Sequence, residues 1–300
     1  MNRTSRLAAA LACALVGAGA HAAKPITGNH GAKPDARVEI HNVRGRIDVR
    51  GADRRDVSVE GSLGEGSKFA ISGSDDHIVV RVETEDGNWS WWGGSGPRED
   101  TLLIVHVPRA ASIDANGVSA DVEITGIAGA RELEAETVSG DQRVRGDAQR
   151  VELTSVSGDV ELASASRDLT LETVSGDIEA SGASGRIDAE SVSGRIVLEA
   201  GEIDDVNVAT VSGDVELTTS RLGGGRIKIE SMSGEVDLAV PGDVSARIDA
   251  ESFSGSITSA FGEVEEEEHG PGSSLTAVAG RGDAQIKLES FSGDVTLRRK

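Results

Sequence analysis

Glu172-Thr173-Val174-Ser175-Gly176-Asp177-Ile178 is followed by Glu190-Ser191-Val192-Ser193-Gly194-Arg195-Ile196 and then by Ala209-Thr210-Val211-Ser212-Gly213-Asp214-Val215. One phrase is written three times, and self-similarity at a fixed period decides the fold before any local element is assigned. The motif glycines are Gly140, Gly158, Gly176, Gly194, Gly213, Gly234, Gly255 and Gly293, in steps of 18, 18, 18, 19, 21, 21 and 38 residues. Weaker copies precede them at Ile113–Ile124, with Ala120 in the glycine place, and at Val38–Val49, with Arg44 in the serine place.

Leu169 to Ala180 gives the pattern: apolar residues alternate with polar ones on either side of Ser-Gly. Period two reads as two short half-buried strands joined at a corner, and helical spacing is absent. A unit of this size cannot close a core alone, whereas copies stacked at about 4.8 Å bury a continuous apolar column. The expected fold is all-β, a right-handed parallel β-solenoid of about 18–21-residue coils. Each corner glycine is expected at φ > 0, Gly176 included, with the following Asp capping its own corner. Val174 falls on the wrong parity for a straight strand after Leu169 and Leu171. A bend at Thr173 is therefore expected to turn Val174 inward, with its equivalents Val156, Val192, Val211, Met232, Phe253 and Phe291.

The composition suits a thin stack: 38 Gly, 4 Phe, 3 Trp and no Tyr among 300 residues. Met1 to Ala22 reads as an export signal, with Arg3 and Arg6 before the apolar run from Leu7 to Ala20 and small residues after it. That run is too short to span a membrane, and no later stretch is long enough, so a soluble periplasmic or extracellular product is expected. Cys13, the single cysteine, lies inside the signal in a poor lipobox, so lipid anchoring is the lesser reading and the mature chain has no disulfide. Loss of the two signal arginines takes the formal charge from −21 to −23. Such a chain repels nucleic acid, which disfavours that class of partner.

Residues 23–37 read as a flexible lead-in and 38–112 as a less regular β region that caps the stack. Residues 113–300 are the regular solenoid, with an acidic insertion near 261–274. The Val38–Val49 segment, the Leu102–Pro108 strand ending in Pro and the run of Val-Ser-Gly-Asp-Val-Glu-Leu units resemble the bacterial DUF4097 family, whose members carry the name "putative adhesin". The resemblance covers most of the mature chain and implies a β-helical fold. It brings no catalytic or binding residues with it.

Asp141, Asp159, Asp177, Asp214 and Asp294 form a ladder in which corner capping is favoured over Ca²⁺ binding, since Arg195 and Arg46 interrupt the column. Arg145-Gly146-Asp147 and Arg281-Gly282-Asp283 spell an adhesive tripeptide that chance supplies readily in this composition, and both are placed at turns. His30, His41, His77, His106 and His269 lack metal-ligand spacing, and Leu222-Gly223-Gly224-Gly225 reads as a spacer rather than a phosphate loop. No cofactor is expected, and no catalytic or metal residue is assigned.

Two insertions break the repeat, where solenoids often bind. One is Asp86 to Pro97, with Trp89, Trp91 and Trp92; the other holds the acidic run Glu263–Glu268. The tryptophans are the candidate binding residues, with plugging of the solenoid end as the equal alternative. The function expected is an exported, non-enzymatic binding, adhesion or scaffolding protein of the cell envelope, with an envelope protein or glycan as partner. The alternatives are a carbohydrate-active β-helix enzyme of the lyase or hydrolase type, or a periplasmic envelope-stress or sensory partner.

Overall fold

A computed structural model describes residues 24–84, 99–266 and 271–300, and all regular structure in them is β. The expected signal, Met1 to Ala22, lies outside the described residues. Asp168–Ser175 pairs in parallel with Gln142–Ser157 on one side and Gly185–Ser193 on the other, so that Leu171 faces Leu153 and Ala189. Val160, Ile178 and Ile196 line up likewise on the far side of the corner. Equivalent residues are 18 apart here, and the register runs on from Ile196 to Val215 and Val236. Long strands that run through bends, such as Gln142–Ser157 and Ile196–Ser212, pair with short strands on both sides of a corner. Six parallel strands thereby close into a ring.

In-register stacking places like on like. Leu153, Leu171, Val208, Ile229 and Leu288 are wholly buried, as are Ile178, Ile196 and Val295. Each buried Leu or Ile contributes about 2 to 3 kcal/mol of apolar transfer. The changing period is absorbed by bulges. Between Gly185–Ser193 and Ile196–Ser212 the register slips by one residue, at Asp204. Against the next strand, Ile203 faces Leu222 while Asp205 faces Arg226. Leu222–Gly225 is thus part of the strand Val215–Ser233, a bulge within a strand rather than a spacer between repeats. A β-carbon on Gly225 would stand 2.6 Å from the Asp204 carbonyl oxygen, which is why the bulge is written in glycine. Gly126 and Gly129, at φ 72° and 78°, serve the same purpose in Ser112–Ser139.

The corner at Gly176 corrects one expectation. Gly176 lies outside the left-handed region, unlike Gly140 and Gly194 at φ 153° and 147°. What it requires is room, because a β-carbon there would overlap the carbonyl oxygen of Gly158 in the neighbouring repeat. Gly194 stands over Gly176, Gly213 over Gly194 and Gly234 over Gly213 in the same way. The glycine column sets how closely the repeats stack.

Stack order departs from chain order at the C-terminal end. The last unit, Ala284–Ser292 with Val295–Arg299, slides between Val215–Ser233 and Ala246–Ser252. Ser273–Ala279 then covers Ala246–Ser252 antiparallel, and Glu265–Glu266 pairs back on it. The 38-residue step therefore contains this covering hairpin. At the N-terminal end His77–Thr84 and Thr101–Pro108 stack in parallel on Arg37–Ala52. Ser67–Ser74 and Asp56–Leu63 flank those two antiparallel. Lys24–Gly31, expected within a flexible lead-in, is a strand paired along its length with Asp56–Leu63. Ile26 is buried there, and the strand covers an edge that would otherwise stay open.

Candidate binding surface

Period two runs unbroken to the corner. Leu169, Leu171 and Thr173 point inward in succession, leaving Thr170, Glu172 and Val174 outward. No bend intervenes, so the expected inward turn of Val174 and its equivalents is overturned. Val174 is 48% exposed, and Val156, Val192 and Val211 are nearly the same. Met232, Phe291 and Phe253 are more exposed still, Phe253 reaching 62%. The inward place goes to a hydroxyl residue: Thr137, Ser155, Thr173, Ser191, Thr210, Ser231, Ser252 and Ser290 are all buried.

Stacking turns this local choice into a surface. Thr173 faces Ser191 and Ser175 faces Ser193, so Val174 and Val192 stand side by side. From Val138 through Val156, Val174, Val192, Val211 and Met232 to Phe291 and Phe253 the apolar corners form eight rungs, about 34 Å at strand spacing. The Phe253 and Phe291 rings stack at the end of the row, their centroids 5.0 Å apart and planes within 10°. A groove of about 680 Å³ runs along this ridge, floored by the hydroxyl column. Thr137 donates to the Gly140 carbonyl and Ser252 to that of Gly293, whereas the Thr173, Ser191, Thr210, Ser231 and Ser290 hydroxyls are buried without a hydrogen-bond partner among the described residues.

Carboxylates line the strand-face margin at six of the eight rungs, Thr154 and Ala209 standing at the other two. Beside the ridge on the strand face stand Glu136, Glu172, Glu190, Glu230, Glu289 and Glu251. Lys228 lies 2.7 Å from Glu230 and its hydrogen bond holds that carboxyl below the usual range. Lys287 pairs with Glu289 at 2.8 Å, and this bond raises the lysine. Past the corner runs the aspartate ladder. Each aspartate accepts from the next repeat rather than capping its own corner: Asp141 from the Asp159 N–H, Asp159 from Asp177 at 3.0 Å and Asp177 from Arg195 at 2.8 Å. Arg195 fits in the column because its backbone N–H, not its side chain, is what the neighbour needs. Asp294 accepts from both the Ser256 N–H and hydroxyl, and these bonds hold its carboxyl below the ordinary range.

The other candidates fall in different places. Trp89, Trp91 and Trp92 lie outside the described residues, as do 267–270 of the acidic insertion. Their described flanks bracket the corner of Asn42 to Arg44, Arg81 pairing with His41 and Thr101 with Gly45. Val43 and Val118 line a second groove that continues the ridge at that end. At the far end Ser273 faces Ser252 on one side and Glu266 on the other, beside the Ser252–Phe253 corner, and its hydroxyl donates to the Gly255 carbonyl. The described flanks Thr101 and Ser273 thus lie beside corners of the same column.

Neither adhesive tripeptide presents free ends. Arg145-Gly146-Asp147 sits within the strand Gln142–Ser157 rather than at a turn; Arg145 pairs with Glu161 at 2.7 Å and Asp147 accepts from the Ala165 N–H. Arg281 and Asp283 pair with each other at 3.0 Å. His41 and His77 converge on Glu39, at 3.8 and 2.7 Å, although nothing in their spacing suggested it. Among the described residues no group of three metal-ligating side chains occurs. The ridge itself was visible in sequence only as the parity mismatch at Val174.

Solved structures of similar shape include a "putative adhesin" from Bacteroides fragilis, 14% identical, covering 92% of this chain and 97% of its own, with a TM-score of 0.47. A "putative adhesin" from Parabacteroides distasonis is 12% identical over 93% and 98% of the two chains, with a TM-score of 0.40. A "putative lipid binding protein" from the same species is 12% identical over 92% and 97%, with a TM-score of 0.41. No curated protein matches in sequence. The family model described as Toastrack DUF4097 matches residues 36–298, a span that holds the repeats, corners and end strands described above apart from Lys24–Gly31 and the last strand residue, Arg299; the chain belongs to the Toastrack DUF4097 family.

Proposed function

We propose that this protein is an exported, non-enzymatic binding or adhesion module of the cell envelope that meets its partner along the apolar corner ridge. The observation that carries the reading is that ridge: a chain of formal charge −21 keeps an apolar residue outward at eight successive corners. Exposed apolar residues scattered singly need no explanation, but a contiguous row rimmed by polar groups is the form of an interaction site. A surface that repeats rung after rung suits a long contact better than a single reacting point. In this reading the repeats wind as a right-handed β-solenoid, in line with register steps of 18 to 21 residues. In the same reading Trp89, Trp91 and Trp92 extend the contact, which the pairing of Arg81 and Thr101 on either side of the Asn42–Arg44 corner supports. The pattern of Met1 to Ala22 supports export.

Retention of envelope protein or glycan by the immobilised chain tests this. Wild type is expected to hold material that V174D/V192D/V211D and W89A/W91A/W92A each release. Retention unchanged in both variants overturns the reading.

A further inference from the structure

On its strand face the ridge is bordered by a glutamate at six of the eight rungs, of which Glu230 and Glu289 are paired with lysine. Glu136, Glu172, Glu190 and Glu251 form no ion pair among the described residues, and past the corner runs the aspartate ladder, interrupted by Arg195 and Ser256. A second copy laid ridge to ridge would bring columns of like charge together, and an anionic membrane surface would meet the same repulsion. An occupant with an apolar centre and cationic borders matches both features at once.

Backbone pairing and rung spacing decide the form of that occupant. Residues on either side of Val174 pair in parallel with both neighbouring repeats, so the ridge offers no strand edge to extend. An extended chain laid along it would place same-face side chains about 6.8 Å apart, out of step with rungs at about 4.8 Å. On a helix, neighbours three and four apart stand about 5 to 6 Å from one another, and the helix satisfies its own backbone. Deepening the reading above, on which it rests, the geometry points to an amphipathic α-helix whose apolar stripe is flanked by Lys or Arg. About 22 residues would span the eight rungs. Val at the centre gives the helix a flat seat, and Met232, Phe291 and Phe253 grip one end of it.

The test is an anisotropy titration of the full chain against a labelled synthetic helix of about 22 residues, with leucines on one face and lysines on both flanks. Its scrambled counterpart and a version with Glu for Lys serve as controls. Saturable binding of the lysine helix alone is expected, weakened about tenfold by V174D/V192D. E172Q/E190Q should weaken it severalfold, and salt should weaken it further. Equal binding of the scrambled peptide would show charge attraction without a seat and would overturn the proposal. Failure of the lysine helix to bind, while envelope retention still depends on the ridge, removes the helical partner and leaves the broader reading standing. A dimer in sedimentation that V174D/V192D dissolves, or capture of neutral lipid vesicles lost in the same variant, would assign the ridge to that other occupant and overturn it likewise.

Discussion

Two apolar ladders run the length of this molecule, one at the level of Leu171 and one at the level of Val174. They are built from the same repeats, three residues apart. The inner ladder is wholly buried, while the outer stands about half exposed. Hydrophobicity does not separate them, since Val and Phe occupy the outer row as readily as Leu and Ile occupy the inner one. Strand parity does: an odd spacing from Leu171 sends a residue out, whatever its side chain. The inner row holds the stack together and the outer row contributes nothing to that core, which is what makes it available for recognition.

The widest test of this contrast is a charge in each row. Leu171→Asp buries an unpaired carboxylate and is expected to cost about 3 to 5 kcal/mol or to abolish folding. Val174→Asp should change stability by no more than about 0.5 kcal/mol, both read by urea unfolding. Comparable losses in the two variants would erase the distinction between the rows.

A smaller effect is expected where the rows meet, at the corner. Gly176→Val sets a branched side chain against the Gly158 carbonyl and should destabilise by about 1 to 3 kcal/mol. A β-carbon on Gly242 would meet nothing within 4 Å, so Gly242→Ala should stay within about 0.5 kcal/mol. A neutral Gly176→Val would mean that the glycine column does not set the stacking distance.

Thr173 sharpens the comparison from the other side, because its hydroxyl occupies an inward place without a partner. Thr173→Val keeps the shape and removes the unsatisfied group, so unfolding should show no loss and a gain of up to about 1 kcal/mol. A loss above that size would reveal a hydrogen bond the buried column depends on.

The smallest effect is electrostatic. Asp294 is held below its ordinary range by the Ser256 N–H and hydroxyl, so its folded value lies under its unfolded one. Its contribution is present above the unfolded value near 3.9 and is lost as pH falls through the folded one. Asp294→Asn should flatten the stability profile in that acid window and leave its shape near neutrality unchanged. An identical acid limb in wild type and variant would remove Asp294 from it.

Much of this architecture was legible in the sequence, because a stacked repeat writes its contacts in sequence order. The spacing of Gly140, Gly158, Gly176 and Gly194 is the spacing of the pairings themselves. The aspartates after the corner were legible as backbone acceptors, though not that each serves the next repeat. Leu222–Gly225 reads in sequence as a spacer, and only the register from Ile203 to Asp205 shows it to be a bulge.

What the sequence by itself determined is the β period, the parallel stacking interval and the inner apolar column, all of which follow from local alternation and a fixed repeat. Tertiary structure alone decided three things. It turned Val174 outward, because the alternation of buried and exposed places runs on through Thr173 and parity overrides the gain from burying a valine. It slid Ala284–Arg299 between two earlier repeats, a pairing that no interval along the chain encodes. It also set Thr101 and Ser273, each C-terminal to an insertion, beside corners of one column, because position in a stack is set by which layer a strand joins and not by how far along the chain it lies.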